Sequence, residues 1–135
     1  MPACRERVVR FGLGDGLVGI LAMPTQPISP AAPFAVLINS GLIHRVGPSR
    51  LHVLLARDLA AAGIAVLRFD LSGIGDSKRQ ADAMPLQASV ERDIIAALDF
   101  LEAKHGARRF ILAGLCSGAY DAFRVAQDDA RVASA

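Results

Sequence analysis

Cysteine and histidine are scarce in this chain: its 135 residues include two cysteines, three histidines, one tyrosine and no tryptophan. Cys4 and Cys116 lie far apart with no metal-ligand spacing, so neither a disulfide framework nor a zinc site is indicated. The aromatic residues form no array with basic ones, and a net charge of +2 with acids and bases interspersed speaks against nucleic-acid binding. No apolar run approaches the length that crosses a bilayer, and the charged start Met1 to Arg10 is followed by no signal-peptide core. No membrane partner is expected, and the expected location is the cytoplasm. Gly73 and Gly75 do not complete a dinucleotide fingerprint, because Lys78 stands where the third glycine belongs, and there is no G-K-[ST] phosphate loop. No cofactor is expected.

What is present is a core. A hydrophobic content of 53% argues for one folded unit, and repeats and low-complexity tracts are missing. Arg7 to Phe11 and Leu17 to Met23 read as an antiparallel pair around the turn chemistry of Gly12-Leu13-Gly14-Asp15-Gly16. After the proline-rich stretch Pro24 to Pro33, the unbroken apolar run Phe34 to Ile38 reads as a strand buried on both faces. Pro48 to Ala62 reads as an amphipathic helix with Leu51, Leu54, Leu55, Leu59 and Ala62 as its apolar stripe, closed by Gly63. Ile64 to Phe69 follows as a strand. Beyond a Gly-, Ser- and Asp-rich loop from Asp70 to Pro85, Leu86 to His105 reads as a helix that buries Val90, Ile94, Ala97, Leu98 and Leu101, with Gly106 closing it. Phe110 to Ala113 is a third buried strand and Ala119 to Gln127 a third helix. The order β-β-β-α-β-α-β-α signals an α/β fold with a mostly parallel sheet covered on both faces.

The segment Gly114-Leu115-Cys116-Ser117-Gly118 joins that last strand to that last helix. A sharp strand-turn-helix junction holds its central residue in a strained conformation, and the residues two before and two after must be small for strand and helix to approach. Gly114 and Gly118 meet this demand for Cys116. For Ser117 the flanking residues would be Leu115 and Ala119, and the leucine would stand where glycine is needed. Cys116 is therefore the candidate nucleophile. The competing reading is a thiol packed as a small hydrophobe.

Three segments together, Asn39 to Pro48, Leu67 to Ser77 and the elbow, resemble the first half of an α/β-hydrolase domain, and the likeness runs from about Arg7 to Val132. The first two segments resemble those of serine-aminopeptidase-like hydrolases and of hydrolases associated with exosortase systems. A cysteine in the elbow is similar to dienelactone hydrolases and polyhydroxyalkanoate synthases. The resemblance implies attack by Cys116 on a small-molecule ester, thioester or lactone carbonyl, with the helix N-terminus favouring the negative sulfur. It implies an oxyanion hole made by the backbone N-H of Ser117 and that of Leu42, although the usual His-Gly before the latter is here Ser40-Gly41. Acyl transfer to another acceptor is an alternative outcome.

The order of this fold places an acid and then a histidine after the nucleophile, but Tyr120 to Ala135 offers Asp121, Asp128 and Asp129 and no histidine. The expectation is the N-terminal half of a single α/β-hydrolase domain, residues 1-135, truncated after the elbow helix and inactive or incomplete as a catalyst. The third parallel strand would then be an unpaired edge open to self-association. Among the histidines, only His44, in the loop after the third strand, lies on the elbow's side of the sheet. His52 is placed on a helix and His105 at a helix C-terminus as a cation suited to the dipole. Asp70 reads as a loop-shaping residue, Asp76 and Ser77 as loop or capping residues, and Arg45 and Arg50 as solvated surface. A non-catalytic chain that needs a partner or an oligomer remains the alternative.

Overall fold

The computed structural model describes residues 3–135. Strands β1 (Cys4–Phe11) and β2 (Leu17–Pro24) form an antiparallel pair with Val8 opposite Ile20. The turn between them is a single 3-10 turn at Leu13–Asp15, with Gly12 and Gly14 at positive φ. Strands β3 (Phe34–Ile38), β4 (Val66–Phe69), β5 (Phe110–Gly114) and β6 (Val132–Ser134) complete a six-stranded sheet in the order β1-β2-β4-β3-β5-β6. β4 runs antiparallel to β2, and the β4-β3, β3-β5 and β5-β6 pairs are parallel.

Every residue of β3 is buried, as an unbroken apolar run requires, and every residue of β4 is buried too, Arg68 among them with Glu6 as its partner. Helix α1 (Leu51–Ala61) covers one face, where Ala22, Ala35, Leu37, Ala56, Ala60 and Val66 form a cluster. Helices α2 (Leu86–His105) and α3 (Ser117–Asp128) cover the other, over a larger core that includes Val36, Leu67, Phe69, Leu98, Leu112 and Val125. Alternate residues of β3 therefore serve opposite layers. No helix among the described residues is long and apolar enough to cross a membrane.

Three expectations are corrected. The segment from Pro48 begins as a 3-10 turn at Pro48–Arg50, with Ser49 and Arg50 at positive φ, before α1 starts. α1 buries His52, Val53, Ala56 and Ala60, and leaves Leu51 and Leu54 exposed, Leu54 by 53%. Its alanines face the sheet because small side chains let a helix axis lie close, and the leucine stripe falls on the flank. The third parallel strand is not left bare: β6 pairs with β5 at Phe110 and Ile111. That short strand is held by Arg131, which bonds Asp129 beside it and Asp99 and Glu102 on α2.

Leu98 is fully buried in the larger core. Leu98→Ala is expected to cost about 3 kcal/mol by the cavity it leaves, read as a lower urea midpoint at unchanged slope. A loss under about 1 kcal/mol would show that α2 is not packed as described.

Candidate active site

The junction between β5 and α3 is backbone in close contact. Cys116 has φ 54° and ψ −117°, a conformation that costs a non-glycine residue on the order of 1–3 kcal/mol. A Cβ on Gly114 would lie 2.6 Å from the carbonyl carbon of Gly118, and a Cβ on Gly118 would lie 2.6 Å from the carbonyl oxygen of Asn39 and 2.8 Å from that of Ile38. Both positions therefore exclude any side chain. The turn is closed by hydrogen bonds from Gly118 N-H to Leu115 O (2.9 Å) and from Tyr120 N-H to Cys116 O (3.2 Å). Cys116 is exposed at the C-terminal end of β5, whereas Cys4 is half-buried on β1.

The loop after β3 comes to the same edge of the sheet. Asn39 is buried, accepting from Leu71 N-H at Oδ1 (2.7 Å) and donating through Nδ2 to Ile43 O (3.1 Å). Gly41 N-H donates to Ser117 Oγ at 2.8 Å, joining this loop to the elbow. Leu42 is 89% exposed. Neither its N-H nor that of Ser117 has an acceptor among the described residues; at Ser117, the first residue of α3, this is the unsatisfied donor of a helix start. Two unpaired amides thus flank the Gly41 to Ser117 bond.

The loop after β4 is organised by Asp70, which is fully buried. Its Oδ1 accepts from Arg45 N-H (2.7 Å), and its Oδ2 accepts from the Arg45 guanidinium (2.7 Å) and from Asp76 N-H (3.1 Å). Ser77 Oγ donates to Asp70 O (2.6 Å) and accepts from Val18 N-H (2.9 Å). A Cβ on Gly75 would run into Asp70 Oδ2, so the carboxylate fills the space that glycine leaves. Asp70, Asp76 and Ser77 are thus structural, as expected. Arg45 is not solvated surface: burial opposes its charge, but its bonds to Asp70 and Asp76 hold it more firmly protonated than usual.

A hollow of 440 Å³ lined by Glu102, Gly106, Ala107, Arg108 and Arg131 lies before the start of β5, away from the elbow. Among the described residues no group of three or more His, Cys, Asp or Glu side chains lies together as a metal site would need.

With this geometry in hand, the family description "serine aminopeptidase, S33" matches residues 32–135. The chain belongs to this family, within the α/β-hydrolase superfamily. No curated protein matches it. Among solved structures it resembles a hypothetical protein of Pseudomonas aeruginosa (24% identity, TM-score 0.79, covering 98% of this chain and 41% of that one). It also resembles a cold-adapted esterase from an Arctic intertidal metagenomic library (25% identity, TM-score 0.78, covering 98% and 59%). A Pyrococcus furiosus esterase matches at 17% identity and TM-score 0.73, covering 96% and 49%. The chain therefore spans between 41% and 59% of the length of these structures. The family is named for serine, but the strained position of this α/β hydrolase holds a thiol.

No imidazole hydrogen-bonds to that thiol among the described residues. His44 is exposed, and its side chain makes no hydrogen bond among the described residues. His52 is buried beneath Gly47 with Nδ1 unpaired, and burial, then the nearby Arg68, pushes its pKa down. His105 meets Arg7 at 3.4 Å and the edge of Phe100, and burial followed by Arg7 lowers its pKa, which corrects the expected cation at the end of α2. Asp93, which sequence reasoning passed over, is buried under the Asp70 loop and accepts from Ser72 N-H (2.7 Å), its pKa raised by burial. Its only sequence signal was a carboxylate inside the apolar stripe of α2. Asp121 is also buried and raised, by burial and then by Glu91 against a lowering bond from Gln87. No imidazole is paired with a carboxylate among the described residues.

A histidine whose pKa falls on folding is protonated first in the unfolded chain, so its contribution is intact above the ordinary 6.5 and lost as pH falls through it toward the lowered folded value. Asp93 and Asp121 act in the opposite sense at lower pH, since protonation relieves their burial. Thermal melts from pH 7 to pH 5 are expected to show falling stability, with a shallower fall in His52→Gln. Equal slopes for the two proteins would contradict a buried neutral His52.

Proposed function

We propose that this chain carries the nucleophilic part of a hydrolase for ester, thioester or lactone carbonyls, with Cys116 as the attacking residue. The observation that carries the reading is the strained, exposed Cys116 between two glycines whose close contacts admit no side chain. Its sulfur forms a C–S bond to the acyl carbon, the bond to the leaving group breaks, and the leaving oxygen or sulfur takes a proton. The tetrahedral oxyanion is met by the N-H groups of Ser117 and Leu42. Esterase chemistry in the Arctic and Pyrococcus relatives favours the same carbonyl substrates here. Both thiols stay reduced in the cytoplasm, where we place the reaction.

Release of the acyl group needs a base to activate water, and no paired imidazole supplies one. Attack can therefore outrun turnover. With p-nitrophenyl acetate, one equivalent of p-nitrophenolate is expected in a burst, followed by a steady rate at least about 100-fold slower, the contribution typical of a missing general base. Cys116→Ala is expected to abolish the burst. No burst in the wild type would sink the nucleophile, and rapid sustained turnover would show that the chain contains its base.

A second reading, a non-catalytic chain completed by a partner or a second copy, is favoured by apolar side chains on one flank. Leu115, Tyr120 and Phe123, the last 58% exposed, stand out from the elbow and α3, and Leu112 to Gly114 of β5 have no neighbour in β6. Light scattering is expected to show self-association at tens of micromolar, reversed by Phe123→Ser. A monomer at all concentrations would remove self-association from this reading.

A further inference from the structure

We infer that the Ser117 side chain is a positioning residue that sets where the Leu42 amide stands relative to the elbow. The inference rests on the proposed roles of Cys116 and of the Leu42 and Ser117 amides. A serine beside a helix start ordinarily turns its oxygen to the unpaired amides of its own helix. Here Cys116 occupies the cap position with no side-chain cap, and Ser117 Oγ instead accepts from Gly41 N-H at 2.8 Å, across 76 residues of sequence.

Beyond its base, the tip of that loop has few other restraints. Gly41 has φ 56°, and a Cβ there would meet nothing within 4 Å, so no packing confines it. The side chain of Leu42 is almost wholly in solvent. The loop's far end is secured by Asn39 Nδ2 on Ile43 O and by the turn bond from Ile43 N-H to Ser40 O, each at 3.1 Å. The near end has the Ser117 bond. Between these two anchors lies the peptide that carries Leu42 N-H, so its direction follows from them. An oxyanion donor acts only when its direction is set before charge develops. Ser117 thus contributes to one site twice, as a donor through its backbone and as an anchor through its hydroxyl.

Two measurements on the whole chain test this. The first is amide hydrogen exchange at Gly41 and Leu42 in wild type, Ser117→Ala and Ser117→Thr. Gly41 is expected to exchange at least about tenfold faster in the alanine variant and to keep its protection with threonine, which retains the acceptor, while amides of the Asp70 loop do not change. The second compares acylation of Cys116 by p-nitrophenyl acetate with its alkylation by iodoacetamide, which builds no oxyanion. Ser117→Ala is expected to slow acylation by about tenfold or more, within the loss seen when an oxyanion donor is removed, to leave alkylation unchanged, and to be rescued by threonine. Acylation and alkylation falling in equal proportion, or Gly41 exchanging alike in wild type and alanine variant, overturns the inference. A wild-type chain that is alkylated but never acylated refutes the nucleophile instead, and the Gly41 amide then decides the anchor by itself.

Discussion

Gly118 brings the start of α3 so near the end of β3 that the carbonyl oxygens of Ile38 and Asn39 fill the place of a side chain. The rest of the site depends on that contact. It fixes the separation between the loop leaving β3 and the turn leaving β5, and so fixes which amides face each other. Close contact of this kind cannot be relaxed by rotamer changes, since both sides are backbone. The strain at Cys116 is sustained by the same arrangement: β5 is paired along its whole length with β3, and α3 is packed on the core through Ala122 and Val125. Local conformational cost is held by the surrounding sheet.

Above this frame, the loops are joined by buried polar groups. Asn39 connects the loop after β3 to Leu71, Asp70 connects Arg45 to Asp76, and Ser77 reaches back to β2 through Val18. The Asp70 carboxylate and the Asn39 amide have partners at both side-chain atoms, while Arg45 Nε is buried with none, so the set is held by most but not all of its polar groups. A buried ion pair is weak evidence for stability, but removing one partner strands the other. The network therefore serves chiefly to hold the base of the loop after β3, whose exposed tip carries Leu42.

The parts of this architecture legible in the sequence are those written in consecutive residues. β3 announced itself as an unbroken apolar run, α2 by its period, and the elbow by two glycines whose steric demand is local. α1 was misread because large leucines suggest an inner face, while close packing on the sheet selected the alanines. β6 was missed because three residues carry no period, and its anchor is Arg131 bonding to α2. Arg45 looked like surface because its partners lie 25 and 31 residues away. The bond from Gly41 to Ser117 left no trace at all, since neither residue type signals a partner at a distance of 76.

On the function proposed for Cys116, the two chemical steps of acyl transfer place different demands on this fold. Stabilising an oxyanion needs donors of fixed direction and no change of protonation, so backbone amides at a helix start and a tethered loop suffice. Activating water needs a titrating group whose proton affinity suits the working pH and whose ring is oriented by a partner. Of the three imidazoles, His52 is buried and His105 half-buried, burial and then a neighbouring arginine lowering the pKa of each, and the third is a loop residue with no carboxylate partner among the described residues. On that proposal the first step would draw on the glycines and hydrogen bonds close to Cys116, and the second on an imidazole–carboxylate pair, which no histidine forms among the described residues.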